Sequence, residues 1–341
     1  MKLASFRHRG HEKVGAVQGD IVVDLAAAYE AMLAGEGLSG SAEIARAVIP
    51  ADMVRFIELG EISIAAARRA LAWALDADGA GVFCMAADDV EWLPAVARPR
   101  NVFCTVVNNP ELVAHAIRAP DYPIYYAKPN SSLIGHLQPI EIREKVLVHP
   151  ESEFAFVVGK TAKNVAAEDA YDYVFGYTIL NDVTSPEIRR RDLLISRVPA
   201  GKNEFGEDTF DDVTFTVIAR HKGMDTFGPL GPWIVTKDEI ADPHDLHVRA
   251  WLGERLINED HTGRLRFTIP EVMAHITKWS TLSPGDIVTL GTASSTDQWP
   301  MLDADMRRFA GPIRIEVEKI GILENPVIKT YDGAADEIWE S

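Results

Sequence analysis

The pattern of apolar and polar positions divides the chain near residue 97. Ahead of that point it reads as a small β meander followed by helices. Met1–Phe6 and Val14–Val17 flank a polar turn, and Gln18-Gly19-Asp20 leads into a third strand at Ile21–Leu25. Ala26–Leu33 is helical text, and a Gly/Ser-rich joint follows at 35–41. The clearest helix is Ile62–Ala77, where Ile64, Ala67, Leu71 and Leu75 recur at helical spacing. Asp88–Leu93 is strand-like, and Pro94, Arg98, Pro99 and Arg100 form a seam.

From Asn101 the pattern changes to short apolar runs punctuated by Gly and Pro. Val102–Val107, Ile124–Tyr126, Val146–Val148, Phe154–Val158 and Tyr173–Leu180 come first. Val213–Ala219, Trp233–Thr236, Leu246–Leu252, Leu265–Thr268, Ile287–Thr292 and Ile313–Ile320 follow. Helical text interrupts them at 166–170, 186–195 and 269–280. Strands this numerous, without regular alternation with helices, predict an α+β fold. The expectation is a mixed β roll or barrel at 98–330, a small α+β N-terminal domain at 1–97 and an acidic C-terminal tail at 331–341.

Composition narrows the function classes. The chain has 341 residues, 47% hydrophobic and 25% charged, in the range of an ordinary folded protein. Its formal charge of −17, without a dense Lys/Arg block, argues against nucleic acid or an anionic membrane as partner. Two cysteines, Cys84 and Cys104, are too few for a disulfide framework or a Cys-rich zinc site. The polar start and the lack of a long apolar run lead us to expect a cytoplasmic protein.

The candidate chemistry centres on HPESEFAFVVGK, residues 149–160. Glu151 and Glu153 precede an apolar run, and residues two apart in a strand project to one side. Two carboxylates brought together need a cation or a proton between them; otherwise the pair is a solvated strand mouth. Asp182 follows the apolar run Tyr173–Leu180 in an Asn-Asp step, which alone reads as turn chemistry. Together the three form an oxygen-only set, suited to Mg²⁺, with Mn²⁺ or Ca²⁺ possible, and poorly to zinc. Lys222 stands in HKGMDTFGPLGPWIVTKDE. Gly291-Thr292-Ala293-Ser294-Ser295 is a segment able to offer amides and a hydroxyl to a carboxylate.

In their order these stretches resemble the fumarylacetoacetate hydrolase family, in its FAHD-like bacterial members. The resemblance runs through MKLASFR…VGAVQGDIVVDL, the Glu-x-Glu strand, GYTILNDVT, KGMDTFGPLGPWIVT, LSPGDIVTLGT and IGILENPV. It implies Glu151, Glu153 and Asp182 as ligands of Mg²⁺ or Mn²⁺, Lys222 as the lysine beside a keto-acid substrate, and Thr292 as a holder of its carboxylate. It also implies a homodimer.

Two departures stand out. Where hydrolytic members often carry Gly-x-Asn-Tyr-x-x-His-x-x-Glu, this chain reads TVVNNPELVAHA. Asn108 is retained as a candidate substrate contact, Asn109 replaces Tyr, Leu112 replaces the water-activating His, and His115 replaces Glu. His115, Glu111 or His136 is left to serve as the base. After Asp182, Pro186 stands at an Arg position and Arg189 at a Gln position, so Arg189 becomes a candidate for the substrate carboxylate. Between Asp192 and Arg220 lies a longer segment than compact members carry, RVPAGKNEFGEDTFDDVT, a candidate lid, oligomer contact or elaborated loop.

The expectation is therefore a metal-dependent enzyme acting on a 2-oxo or β-diketo acid, by hydrolytic C–C cleavage with Lys222 and His115 in the catalytic roles. The alternatives are decarboxylation, isomerisation or dehydration on the same core, or a non-catalytic member that only binds metal and ligand.

Overall fold

The structure, a computed structural model, describes residues 1–76, 82–293 and 304–332. The N-terminal part holds β1 (Lys2–His8), β2 (His11–Gln18), β3 (Ile21–Asp24), α1 (Leu25–Gly35), α2 (Glu61–Asp76) and β4 (Cys84–Ala86). Asp24 caps α1 by accepting from the Ala27 amide, so strand gives way to helix at that residue. The central part holds β5 (Val102–Val106), α3 (Pro110–Ala114), β6 (Ile124–Ala127), β7 (Ser152–Val158), β8 (Val174–Asn181) and α4 (Pro186–Arg191). Then come β9 (Leu193–Lys202), β10 (Asp208–Thr216), α5 (Ile218–Gly223), β11 (Gly228–Thr236), β12 (His247–Leu252), β13 (Arg255–His261), α6 (Ile269–Trp279), β14 (Ile287–Thr292), β15 (Ile313–Val317) and β16 (Gly321–Asn325).

One mixed sheet runs in the order β4-β3-β2-β1-β11-β8-β7-β14-β5-β6. It is open, ending at β4 and β6 rather than closing into a barrel. The first strand crosses the expected seam: Lys2 pairs with Val235 and Leu3 with Ile234. The core follows the sheet across, since Leu3, Phe56 and Ala67 share one apolar cluster with Ala155, Leu180 and Ile287. A second sheet, β13-β12-β15-β16, covers the other side. Every residue of β7 is buried, as a strand covered on both faces requires. Among the described residues no helix is long and apolar enough to cross a membrane.

Several local expectations change. The helix read over 186–195 stops at Arg191, and Leu193 already pairs with Thr216. Instead of a strand over 213–219, β10 ends at Thr216 and α5 begins at Ile218. Residues 265–268 form no strand; Thr268 is the N-cap of α6, in a capping box with Glu271. The long segment is the β9–β10 ribbon. The tail from 333 and the Ser294-Ser295 end of the Gly-Thr segment lie outside the described residues.

Candidate metal and keto-acid site

The site lies where β7 begins and β8 ends. The two strands are antiparallel, with Ser152 opposite Asn181, so the residues before one meet those after the other. The Asp182 amide donates to the Glu151 carbonyl at 3.0 Å, and the Glu151 amide to Oδ1 of Asn181 at 3.0 Å. On the other edge of β7, Glu153 stands opposite Thr292. Thr292 Oγ1 lies 3.3 Å from Glu151 Oε2 and 3.4 Å from Glu153 Oε1, so both glutamates do face one side.

Lys222 comes in on α5. Its Nζ donates to Glu151 Oε2, Asp182 Oδ2 and Thr184 Oγ1, each at 2.7 Å. A second cation, which the reading of the sequence overlooked, is Lys128: its Nζ donates to Asp182 Oδ1 at 2.8 Å and also to the Lys222 carbonyl. Tyr126 was overlooked as well. Its hydroxyl reaches Asp182 at 2.7 Å (Oδ1) and 2.6 Å (Oδ2). The signal for both was the run YYAKP, in which a lysine closes an apolar strand two positions after a tyrosine and so shares its side.

Little water reaches this cluster: the Lys128 and Asp182 side chains are 0% and 1% exposed. Burial pushes Asp182 toward its neutral form, but Lys128 and Lys222 overrule it and hold the carboxyl well below its usual range. Glu153 goes the other way. Burial, then the negative charges of Asp182 and Glu151, raise it well above a normal glutamate. Burial works against the Lys222 ammonium, yet Asp182, Glu151 and Glu153 raise its pKa, so it stays charged. Cys104 lies behind. Its Sγ and carboxylate oxygens of Glu153 and Asp182 are within 4.8 Å of one another, and burial raises the thiol well above its ordinary value.

Among the described residues, Oε2 of Glu153 is buried without a hydrogen-bond partner. A carboxylate oxygen so placed is costly unless a cation or proton meets it. The donor chemistry fits a hard divalent ion: three carboxylates on one side of β7 and β8, one with an orphaned oxygen and two already bridged by an ammonium. Glu151 stands across Lys222 from the closest group, outside the 4.8 Å set of Cys104, Glu153 and Asp182.

The remaining expected residues lie around this centre in different ways. Asn108 is buried, and its Nδ2 donates to the Phe267 and Leu290 carbonyls at 3.0 and 2.8 Å. Its Oδ1 accepts from the Phe267 amide at 2.7 Å. Asn108 is thereby a clamp between loops, with its polar atoms committed to backbone. His115 is exposed at the C-cap of α3, and Glu111 is ion-paired with Arg264. His136 packs edge-on against Trp92, with Nδ1 accepting from the Glu324 amide at 3.0 Å. Arg189 is exposed on α4. His149, on which no expectation rested, is buried beside Glu151, and burial lowers its pKa and keeps it neutral.

Comparisons with known proteins place the chain among relatives of one family. The mitochondrial oxaloacetate tautomerase Fahd2a of Rattus norvegicus is 30% identical over 282 residues, covering 82% of this chain and 80% of its own. The corresponding Xenopus laevis protein is 31% identical over 283 residues, covering 82% and 79%. Maleylpyruvate hydrolase from Sphingobium sp. SYK-6, solved with manganese(II) and pyruvate, superposes with a TM-score of 0.65 at 26% identity, covering 96% of this chain and 99% of that one. The fumarylacetoacetate hydrolase of Exiguobacterium antarcticum shares the fold, with a TM-score of 0.69 at 22% identity, covering 97% and 100%. Residues 101–328 match the fumarylacetoacetate (FAA) hydrolase C-terminal family, a span that includes every carboxylate and lysine of the site. The chain belongs to the fumarylacetoacetate hydrolase family.

Proposed function

We propose that the protein is a divalent-metal-dependent enzyme that moves a proton on a small 2-oxo acid, interconverting its keto and enol forms. The observation that carries this reading is the Lys222 ammonium, held 2.7 Å from both Glu151 and Asp182 beside the orphaned oxygen of Glu153. Glu151, Glu153 and Asp182 would hold the metal, which, when bound, supplies Lewis-acid polarisation of the substrate carbonyl. The chain's own residues do the rest. Lys222 Nζ presents a proton donor and a fixed positive charge to a developing oxyanion, in a place where low water content strengthens both effects. Lys128 and Tyr126 lock Asp182, so the charges are in position before substrate arrives. Thr292 Oγ1 orients the substrate carboxylate. Proton transfer at carbon asks for no attacking water, which suits a chain with Leu112 where hydrolytic relatives carry histidine. Named relatives at about 30% identity are oxaloacetate tautomerases.

A second reading, hydrolytic C–C cleavage, is supported by the maleylpyruvate hydrolase neighbour at 26% identity. It would need His115, now at the exposed end of α3, to activate water. The two separate in one assay. Enol-to-keto conversion of oxaloacetate and pyruvate release from maleylpyruvate are followed with Mn²⁺ and after chelation. Metal-dependent conversion without cleavage is the expected result. Cleavage lost in His115→Asn would establish the second reading instead.

A further inference from the structure

A cavity of about 530 Å³ lies between α2 and the main sheet, away from the carboxylate cluster. That volume is within the range of small-molecule sites, roughly 300–1,000 Å³. Its floor is apolar: Ile57 and Ile64 come from the helical part, Val174 and Phe175 from the first residues of β8. Ile57, Ile64 and Val174 are buried, so packing behind them fixes the shape of the hollow.

The strands that carry the metal and keto-acid site also set the place of this cavity. Gly159 and Lys160 follow β7, Val174 opens β8 and Thr236 closes β11. The cavity therefore sits at the far ends of β7 and β8, whose other ends bear Glu151, Glu153 and Asp182. From Glu153 to Gly159 the strand spans about 20 Å at 3.3 Å per residue. The two places share no residue.

The rim is charged and only partly neutralised. Arg68 of α2 is tied to Asp238 at 2.8 Å, and Glu58 to Arg55 at 2.9 Å. This leaves Lys160 and Lys237 beside Glu61 and Asp172, and none of these four forms an ion pair among the described residues. Lys237 Nζ donates to the uncharged Tyr171 carbonyl at 2.7 Å. Burial, and after it the charge of Lys160, lowers the Lys237 pKa from its ordinary value, against the pull of Asp172, Glu61 and Asp238. Two like charges held near each other at the mouth of an apolar hollow favour an anion between them.

We propose that this cavity is a binding site for a small amphipathic carboxylate. Its carboxylate lies between Lys160 and Lys237, and its apolar body covers Ile57, Ile64 and Phe175. Glu61 and Asp172 disfavour a more highly charged anion, since two carboxylates already stand beside the two lysines. They also give an α-ammonium a place, so the carboxylate belongs either to a simple organic acid or to an apolar amino acid.

The test is calorimetric titration of the full chain after chelation, so that no metal offers a second seat for a carboxylate. The probes are phenylacetate, phenylalanine and 2-phenylethylamine. Saturable binding of phenylacetate is expected, and Lys160→Gln combined with Lys237→Gln should raise its Kd about tenfold or more. Both lysines are exposed, and unchanged thermal midpoints identify folded variants. Asp172→Asn separates the two sources. Phenylalanine that binds more weakly to this variant, while phenylacetate binds more tightly, assigns the site to an amino acid; tighter binding of both assigns it to a simple acid. No saturable binding of either acid at millimolar concentration would overturn the proposal. So would an unchanged Kd in the lysine double variant, or 2-phenylethylamine binding as tightly as phenylacetate.

Discussion

Lys222 and Asp182, forty positions apart, are joined inside the protein by a 2.7 Å contact between Nζ and Oδ2. The same ammonium reaches Glu151, so a cation of the chain itself bridges two of the three expected metal ligands. Removing one partner of a buried ion pair costs on the order of 3–5 kcal/mol. Lys222→Met is therefore expected to lower the thermal midpoint in chelator, and to gain more from Mn²⁺ than wild type does, because the bridge is gone. Activity should fall about 100-fold. Melts with and without Mn²⁺ check this, and a variant that metal stabilises no more than wild type would remove Lys222 from the cation's place.

Glu153→Gln should behave in the opposite sense. Its Oε2 is buried without a partner and its neighbours are negative, so the neutral amide relieves the apo protein. A stability gain of about 1 kcal/mol without metal is expected, together with loss of metal-induced stabilisation. The sign of the first change and the absence of the second are both read in the same melts.

Gly291 adopts φ +82°, and a Cβ there would stand 2.9 Å from the Thr105 carbonyl oxygen. Left-handed backbone costs an L-residue roughly 1–2 kcal/mol before any clash. Gly291→Ala should lower stability by about 2 kcal/mol or more. Because Thr292 is the next residue, kcat should fall with it. Denaturant unfolding and steady-state kinetics measure the two.

His136 gives the pH prediction. Burial lowers its pKa from 6.5 to about 4. The unfolded chain then binds the proton more readily, so stability is fully present above pH 6.5 and is lost as pH falls toward 4. The loss is on the order of 3 kcal/mol. His136→Asn should flatten this acid limb, which unfolding midpoints between pH 4 and 7 would show.

How far the sequence could be read follows from where its signals come from. The three carboxylates that gather here were legible because strand periodicity places Glu151 and Glu153 on one side, and the Asn-Asp step ends the neighbouring run. Lys128 and Tyr126 were not, since a lysine after a strand looks solvated until tertiary packing buries it against Asp182. For Asn108 nothing in the sequence signals the structural role the fold adds: its side chain is bonded to the backbone of Phe267 and Leu290, and Gly291 approaches it closely. The β9–β10 ribbon was visible as surplus length and, in part, as the strand run at Val213, because its strands pair with each other and leave no buried face to set an alternating pattern. The open sheet was equally hidden, as closure depends on the partners of β4 and β6 rather than on any strand's own text.

The pairing of Lys2 with Val235 bears on the order of events at the ribosome. β1 meets β2 within twenty residues on one edge, and on the other edge Phe6 and Arg7 pair with Trp92 and Glu91, whereas the partners of Lys2 and Leu3 are made more than two hundred residues later. Synthesis at about 5–20 residues per second leaves the Lys2–Leu3 end of that edge open for at least roughly ten seconds. During this interval the nascent chain is exposed to strand-to-strand association, and its main sheet becomes continuous only once both Gly228–Thr236 and the later Ile287–Thr292 have emerged.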